Sequence, residues 1–152
     1  MFARIFNVIG HDDPNGHLIP DILNQLKIEN GQVQVSTVKL GNTEPKRDYT
    51  HADDTAGGIV AILEHFEWGR PVEAFNLSRG EEHSVVDLLR IIGDYFGCML
   101  EIEHDPGRVR RVDRNHLLGD SRKSRSALGW SARIGIDEAL HDILSRLVPV
   151  RT

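Results

Sequence analysis

Apolar residues recur at helical spacing in four stretches of the chain, near residues 18–27, 53–68, 84–97 and 137–147, and Ser121 can cap a shorter helix that runs to about Leu128. A period of three to four residues predicts amphipathic helices that each bury one side. Pro20 suits the first turn of the first helix, because a proline there loses no intrahelical hydrogen bond. We expect Gly31 to end that helix.

The starts of the second and third helices carry capping residues. Asp53 or Asp54 can accept hydrogen bonds from the unpaired amides of a first helical turn. Ser84, followed by Asp87, resembles a capping box with Asp in place of the usual Glu or Gln, and Gly97 suits the end of that helix. The apolar residues of the second helix fall on one side: Ala56, Ile59, Val60, Leu63 and Phe66.

Strand patterns separate these helices. Residues 2–8 mix β-branched and aromatic side chains without strict polar alternation, which is typical of a strand buried on both faces of a parallel sheet. Residues 72–77 predict a second such strand. Residues 32–36 alternate before the phase shifts near Thr37, which predicts a half-buried strand with an irregularity there. Shorter strands are expected at 47–50 and 99–103.

Composition narrows the class of protein. A chain of 152 residues with 39% hydrophobic and 27% charged residues suits one globular domain. The longest apolar runs are too short to span a bilayer, so no membrane partner is expected. The first residues do not have the pattern of a secretory leader, and the single cysteine, Cys98, cannot form an internal disulfide. We therefore expect a cytoplasmic protein.

Charge is unevenly distributed. The net charge of -5 gives no general attraction to nucleic acid. Residues 108–125 nevertheless carry seven basic side chains against only Asp113 and Asp120. This local surplus suits a small polyanion such as a diphosphate, and equally suits a solvated charged loop. A nucleic-acid-binding role for the same arginines is disfavoured because no aromatic residues are interleaved with them.

Several short motifs occur in a consistent order. They are Arg4-x-Phe6-Asn7, then residues 46–54 with the letters KRDYTHADD, then residues 75–78, 119–123 and 128–130. Together they resemble the C-terminal half of the extended short-chain dehydrogenase/reductases, the NAD(P)-dependent epimerases, dehydratases and reductases of nucleoside-diphosphate sugars. The pattern is most similar to the GDP-mannose 4,6-dehydratases and GDP-4-keto-6-deoxymannose reductases. The resemblance runs from about Ala3 to Leu147.

This resemblance implies an α/β fold in which incomplete Rossmann-type parallel sheet strands join a small α/β substrate-binding lobe. The whole chain, residues 1–152, would be the C-terminal substrate-binding portion of such an enzyme. The family's glycine-rich dinucleotide loop and Tyr-x-x-x-Lys catalytic pair are absent from this sequence. NAD or NADP therefore belongs to the full-length family, and we expect neither to bind this chain alone. No catalytic residue is assigned.

The resemblance also implies substrate-binding residues. Arg47 matches the family's diphosphate-binding arginine, and a guanidinium can bond oxygens of both phosphates, although an ion pair with Asp48 is the alternative. Asn7 would contact the sugar nucleotide near its phosphates, although a plain strand-ending residue would also be ordinary there. The remaining candidates are Leu18 and Asn42 for the nucleotide base, Arg110 for the diphosphate and Asp113 for ribose hydroxyls.

Each of these four has an alternative. Leu18 is also ordinary core, Asn42 also suits a plain turn, and Arg108 or Arg111 could replace Arg110. The sequence departs from the family at Gly10-His11, where Gly-Pro is usual, so the loop over the sugar is expected to differ. His11 and His17 lack a second close pair of ligands, so no metal site is expected.

Three hypotheses remain open from sequence. The first is half of an enzyme, natural or truncated, that needs the upstream cofactor-binding part. The second is a stand-alone nucleotide-sugar-binding or regulatory module without catalysis, whose sheet edges self-association would have to cover. The third is a nucleic-acid-binding domain. We expect a nucleoside-diphosphate sugar as ligand and no nucleic acid.

Overall fold

The computed structural model describes residues 1–13, 16–69, 71–109 and 113–147. Its strands are β1 Phe2–Ile5, β2 Asn7–Ile9, β3 Ile28–Glu29, β4 Gln32–Val33, β5 Thr37–Leu40, β6 Lys46–His51, β7 Ala74–Leu77, β8 Glu82–Ser84, β9 Glu101–His104 and β10 His116–Leu117. Its helices are α1 Leu18–Leu26, α2 Ala52–Glu64, α3 Val85–Phe96, α4 Arg122–Leu128 and α5 Ile136–Leu147, with a 3-10 turn at Pro106–Arg108.

The chain divides into two compact units. The first unit comprises Met1–Ile9, Lys46–His83 and His116–Ala139. The second comprises Gly10–Pro45, Ser84–Asn115 and Leu140–Thr152. Most sheet pairing is parallel, as expected for an α/β fold in which helices connect the strands.

In the first unit, residues 2–8 do not form one strand. β1 pairs in parallel with β7, with Ile5 opposite Leu77, whereas β2 pairs in parallel with β6, with Asn7 opposite Tyr49. The chain changes partner at Phe6, whose amide still donates to the Leu77 carbonyl at 3.3 Å. The predicted strand is therefore split in two, because hydrophobic patterning does not reveal which neighbour a strand pairs with.

The expectation that this segment is buried on both faces is wrong for β1. All four residues of β1 are exposed. Among the strands that the structure describes, β1 pairs only with β7. Its other edge therefore lacks the neighbour that would bury it in a complete parallel sheet.

The core of the first unit lies between α2 and β7. Phe75 and Leu77 are fully buried and pack with Ile62 of α2 and with Trp130. A Cβ at Gly58 would lie 2.7 Å from Leu77 Cδ2, so only glycine allows this close approach of helix and strand. The Trp130 indole N–H donates to the Asp54 carbonyl at 3.0 Å.

The predicted caps of α2 need correction. His51 is the N-cap, and its Nδ1 accepts a hydrogen bond from the Asp53 amide at 3.2 Å. The carboxylate of Asp54 instead accepts from the amides of Arg133 and Ile134, each at 2.8 Å. Both aspartates lie in the first turn of α2, where negative charge interacts favourably with the helix dipole.

In the second unit, α1 packs on β5, which pairs in parallel with β9. The α1 helix ends at Leu26, and Lys27 takes the left-handed conformation with φ 47°. Gly31 therefore does not end the helix. With Asn30 it forms the turn of a β3–β4 hairpin, in which both residues have positive φ (52° for Asn30 and 79° for Gly31).

The predicted strand at residues 32–36 is shortened to β4, and β5 begins after the expected irregularity, at Thr37. The capping box of α3 is confirmed: the Asp87 amide donates to Ser84 Oγ at 3.2 Å, and the Ser84 amide donates to the Asp87 carboxylate at 2.8 Å. Gly97 ends α3 with φ 67°, as its sequence position predicts.

Candidate functional site

The Arg47-Asp48-Tyr49 motif lies on β6, which pairs with β2 on one side and β10 on the other. Side chains alternate along a strand, so Arg47 and Tyr49 point to one face of this sheet and Asp48 to the other. Asn7 stands opposite Tyr49 in register. Asn7 and Arg47 therefore share one face of neighbouring strands, which brings together two of the predicted substrate contacts.

Arg47 is half-buried at this position. Its Nη1 donates to the carbonyl of Lys46 at 2.8 Å. A planar guanidinium offers five N–H donors in a fixed fork, so it can grip adjacent phosphate groups from one position. The chemistry of this face suits an oxyanion ligand.

Asp48 has a structural role that its sequence position does not disclose. The side chain is fully buried, and its carboxylate accepts hydrogen bonds from the backbone amides of Arg79 at 2.9 Å, Gly80 at 2.8 Å and Gly119 at 3.1 Å. It thereby ties β6 to the loops that follow β7 and β10. Burial raises the pKa of Asp48, against the opposing effect of these three amides.

Glycines permit this arrangement. Gly80 has φ 86°, which favours glycine, and a Cβ at Gly119 would overlap Ser78. A buried carboxylate that accepts several backbone hydrogen bonds requires chain segments that approach it closely. The glycines in the two loops are the sequence signal that could have indicated the role of Asp48. From sequence alone, an ion pair with Arg47 is the only interaction expected for Asp48.

Tyr49 is buried on β6. Burial raises the pKa of its phenol to about 12, with a smaller opposing effect of Arg47. A phenol with that pKa stays protonated near neutral pH, so it can donate or accept a hydrogen bond.

In the second unit, Leu18 is half-buried at the start of α1. Asn42 is exposed after β5, and its side-chain carbonyl accepts from the Glu44 amide at 3.1 Å. This is the local hydrogen bond of an Asx turn. Asp113 is half-buried, and Arg110 lies outside the described residues.

Arg108, one of the two alternatives to Arg110, lies within the described residues. It contacts two acidic side chains. Its Nη1 lies 2.7 Å from Asp21 Oδ2, and its Nε lies 3.5 Å from Asp105 Oδ2. The backbone carbonyl of Arg108 would overlap a Cβ placed at Gly41, so the turn after β5 and the 3-10 turn after β9 abut. Gly41 is therefore required by close approach of backbone.

Two basic residues of the 108–125 surplus also pair with acids in the first unit. Arg122 contacts Asp120 through two nitrogens, with the shortest distance 2.6 Å, and lowers the pKa of that carboxyl to about 2. Lys123 Nζ lies 3.1 Å from a Glu73 carboxylate oxygen. In the folded structure, acidic side chains therefore neutralise part of the basic surplus of residues 108–125.

Within the described ranges, no group of three or more His, Cys, Asp or Glu side chains is arranged to hold a metal ion. In the same part of the chain, no helix combines the length and apolar character needed to cross a membrane.

Parallel strands joined by helices define an α/β protein of the Rossmann-like class. A family model described as GDP-mannose 4,6 dehydratase matches residues 1–143. The chain therefore belongs to that family, and the resemblance seen in the sequence is confirmed.

The curated relatives of this chain are named as reductases, epimerases and dehydratases. The GDP-6-deoxy-D-mannose reductase of Pseudomonas aeruginosa is 27% identical, over 95% of this chain and 47% of its own length. The UDP-glucose 4-epimerase of Bacillus subtilis is 30% identical, over 91% and 44%. The human GDP-mannose 4,6 dehydratase is 25% identical, over 73% and 34%. The chain thus spans half or less of the length of these relatives.

Solved structures give the same result for the fold. The structure of RMD from Pseudomonas aeruginosa complexed with NADPH matches with a TM-score of 0.81 and 26% identity, covering 94% of this chain and 46% of that one. The UDP-glucose 4-epimerase from Bifidobacterium longum, in complex with NAD+ and UDP, matches with a TM-score of 0.74 and 24% identity, covering 93% and 45%. The expected α/β fold with Rossmann-type parallel strands is confirmed.

Proposed function

We propose that this chain is the nucleoside-diphosphate-sugar-binding part of an NAD(P)-dependent epimerase, dehydratase or reductase, and that it is inactive alone. The observation that carries the proposal is the placement of Arg47 and Asn7 on one face of the neighbouring strands β6 and β2. Arg47 supplies a fork of donors for the diphosphate, and the Asn7 amide both donates and accepts beside it. Family membership supports this choice of ligand.

Further contacts are proposed from the family resemblance of the sequence. Leu18 and Asn42 are assigned to the nucleotide base, and Asp113 to the ribose hydroxyls. Arg110, which lies outside the described residues, is assigned to the diphosphate by its place in the sequence. A GDP-sugar is the first choice of ligand because the family model and the Pseudomonas aeruginosa reductase are both named for GDP-sugars. UDP- and dTDP-sugars are the next candidates.

The residues of this chain do not fit the dinucleotide cofactor. A pyrophosphate is held where a glycine-rich turn leads into a helix N-terminus. The sequence contains no G-x-G-x-x-G. The N-caps of α1 to α4 are instead His17, His51, Ser84 and Ser121. We assign the NADPH or NAD of the related structures to a cofactor domain supplied by a partner.

The role of Arg47 can be tested by calorimetry with GDP-, UDP- and dTDP-sugars, on the chain alone and with a cofactor-domain partner. Arg47→Ala should weaken binding by about 1.5 to 3 kcal/mol, the range for hydrogen bonds to a charged group. Arg47→Lys should restore only part of the affinity, because an ammonium provides a point charge without the paired fork. Added salt should weaken the wild type more than the alanine variant.

Arg90→Ala is the matched control, because Arg90 is an exposed arginine on α3 paired with Asp94 at 3.2 Å. Its affinity for nucleotide sugars should equal that of the wild type. Equal affinities of the wild type, Arg47→Ala and Arg47→Lys would show that Arg47 is a structural residue and would remove the main support for the proposed site.

A further inference from the structure

Arg108 is held between two carboxylates just after β9. Its guanidinium contacts Asp21 of α1 through Nη1 and Asp105 through Nε, at 2.7 and 3.5 Å. A diphosphate that reached this guanidinium would also meet both carboxylates, and charges of like sign repel each other. The surroundings of Arg108 therefore favour a role within the chain over a contact with phosphate.

Asp21 links this arginine to the parallel sheet of the second unit. The Asp21 Oδ2 atom that contacts Arg108 also accepts a hydrogen bond from Gln25 Nε2 at 3.2 Å. The Gln25 amide in turn pairs with the backbone of Lys39 in β5: its Oε1 accepts from the Lys39 amide at 2.8 Å, and its Nε2 donates to the Lys39 carbonyl at 3.3 Å. One carboxylate oxygen thus connects Arg108, α1 and β5.

The 3-10 turn that contains Arg108 lies directly against the turn after β5. A Cβ at Gly41 would overlap the Arg108 carbonyl, and the Asp105 amide donates to the Leu40 carbonyl at 2.8 Å. Both turns follow the carboxyl ends of the parallel strands β5 and β9, where ligands commonly bind to α/β sheets. Asn42, which is assigned above to the nucleotide base, is the residue that follows Gly41.

We propose that Arg108 is a positioning residue for recognition of the nucleotide base. Asp21 holds its guanidinium, so that the 3-10 turn supports the turn after β5 and fixes Asn42 in place. Arg108 itself touches no phosphate. We name the ion pair of Asp21 with Arg108 the clamp. The inference rests on the proposed function, because the assignment of Asn42 to the base belongs to that proposal, and it predicts that the clamp determines the preference for one base over another.

Direct contact with the diphosphate is the competing role of Arg108. In that case Asp21→Ala would free the guanidinium, and binding would be stronger or unchanged. Arg108→Ala would weaken the binding of every nucleoside-diphosphate sugar by the same factor, because all of them carry the diphosphate. The clamp predicts instead that both substitutions weaken binding and that the loss depends on the base.

The test is calorimetry with GDP-mannose and UDP-glucose on the wild-type chain, Asp21→Ala, Arg108→Ala and the double variant. Each single substitution should weaken the preferred ligand by roughly three- to fivefold, the effect of one ion pair whose arginine side chain is 40% exposed. The ratio of the two affinities should fall by about the same factor. A loss of stability alone lowers both affinities equally and leaves that ratio unchanged.

Two further variants identify the interaction that is lost. The double variant should bind no more weakly than Arg108→Ala, because both substitutions remove the same ion pair. Arg108→Lys should keep part of the base preference, because an ammonium retains the charge opposite Asp21. Arg90→Ala is the matched control, since it breaks an exposed ion pair with Asp94 on α3 in the same unit, and it should leave both affinities unchanged.

Amide exchange reports on the turn after β5 without any ligand. The Glu44 amide donates to the side-chain carbonyl of Asn42 at 3.1 Å. Its exchange should quicken by roughly threefold or more in Asp21→Ala and in Arg108→Ala, because loss of the clamp lets this turn open more often. Exchange in Arg90→Ala should equal that of the wild type.

The results that overturn the proposal differ from those that overturn the proposed function. Equal binding of the two ligands by the wild type, an unchanged affinity ratio in the two single variants, or stronger binding by Asp21→Ala would refute the clamp and leave the proposed ligand class intact. Failure of the proposed function has another signature: the wild type binds neither ligand, while Glu44 exchange still quickens in the clamp variants.

Discussion

At the scale of single residues, one motif supplies both a candidate ligand contact and a structural anchor. Arg47 and Asp48 are adjacent, so strand geometry sends them to opposite faces of the sheet. Sequence could identify Arg47 as a candidate because a guanidinium suits a diphosphate. It could not identify what Asp48 bonds to, because the three amide donors come from loops 31, 32 and 71 residues away.

Removing the Asp48 carboxylate should destabilise the fold. Asp48→Ala leaves three backbone amides without their acceptor, and buried unsatisfied groups cost about 1 to 3 kcal/mol each. We expect a loss of about 3 kcal/mol in the free energy of unfolding, measured by urea denaturation. Asp94→Ala, which removes an exposed carboxylate from an ion pair with Arg90, should cost at most about 1 kcal/mol. A similar small loss in both variants would contradict the anchoring role.

The raised pKa of Asp48 predicts a direction for the pH dependence. A carboxyl with a higher pKa in the folded than in the unfolded state binds more protons when folded. Its contribution to stability is therefore fully present below the ordinary pKa of 3.8 and is lost as pH rises through the raised value. Relative to Asp48→Asn, the wild type should gain stability as pH falls from neutral. The opposite trend in that difference would contradict the assignment.

At the scale of elements, local signals are informative where the partner is close in sequence. The capping box joins Ser84 and Asp87 within one turn, so spacing alone indicates it. The switch of strand partner at Phe6 depends on residues far along the chain, and periodicity does not encode it. Sequence does not single out His51 as the N-cap of α2, because two aspartates, which are more usual capping residues, follow it.

Two adjacent glycines in α2 give a paired test of how the helix packs. A Cβ at Gly58 would lie 2.7 Å from Leu77 Cδ2 and 2.9 Å from Trp130 Cε2, whereas a Cβ at Gly57 would have only Trp130 Nε1 nearby, at 3.9 Å. Gly57→Ala should stabilise the chain by about 0.5 to 1 kcal/mol through helix propensity. Gly58→Ala should destabilise it by about 1 to 3 kcal/mol through overpacking.

Thermal unfolding of the two alanine variants measures the difference directly. Both substitutions make the same change in helix propensity on neighbouring positions, so the contrast isolates the contact with Leu77 and Trp130. Equal midpoints for the two variants would show that α2 does not pack closely on β7.

At the scale of the whole molecule, the sequence was sufficient for the α/β class and the family. Ordered motifs from Arg4 to Trp130 indicated the family, and the family match over residues 1–143 confirmed it. Sequence could not show that α2 would expose its apolar side, because helical spacing identifies an apolar face without saying what covers it. The chain spans half or less of the length of these curated relatives.

The most direct test of the proposed function is a comparison of ligands on the purified chain alone. A GDP-sugar and NADPH are titrated separately by calorimetry, and the two are then mixed with the chain while NADPH absorbance is followed. We predict saturable binding of the nucleotide sugar, no binding of NADPH and no turnover, because the dinucleotide cradle and the Tyr-x-x-x-Lys pair are absent from this sequence. Binding of NADPH without the nucleotide sugar, or turnover by the chain alone, would contradict its assignment as a nucleotide-sugar-binding part that needs a cofactor domain.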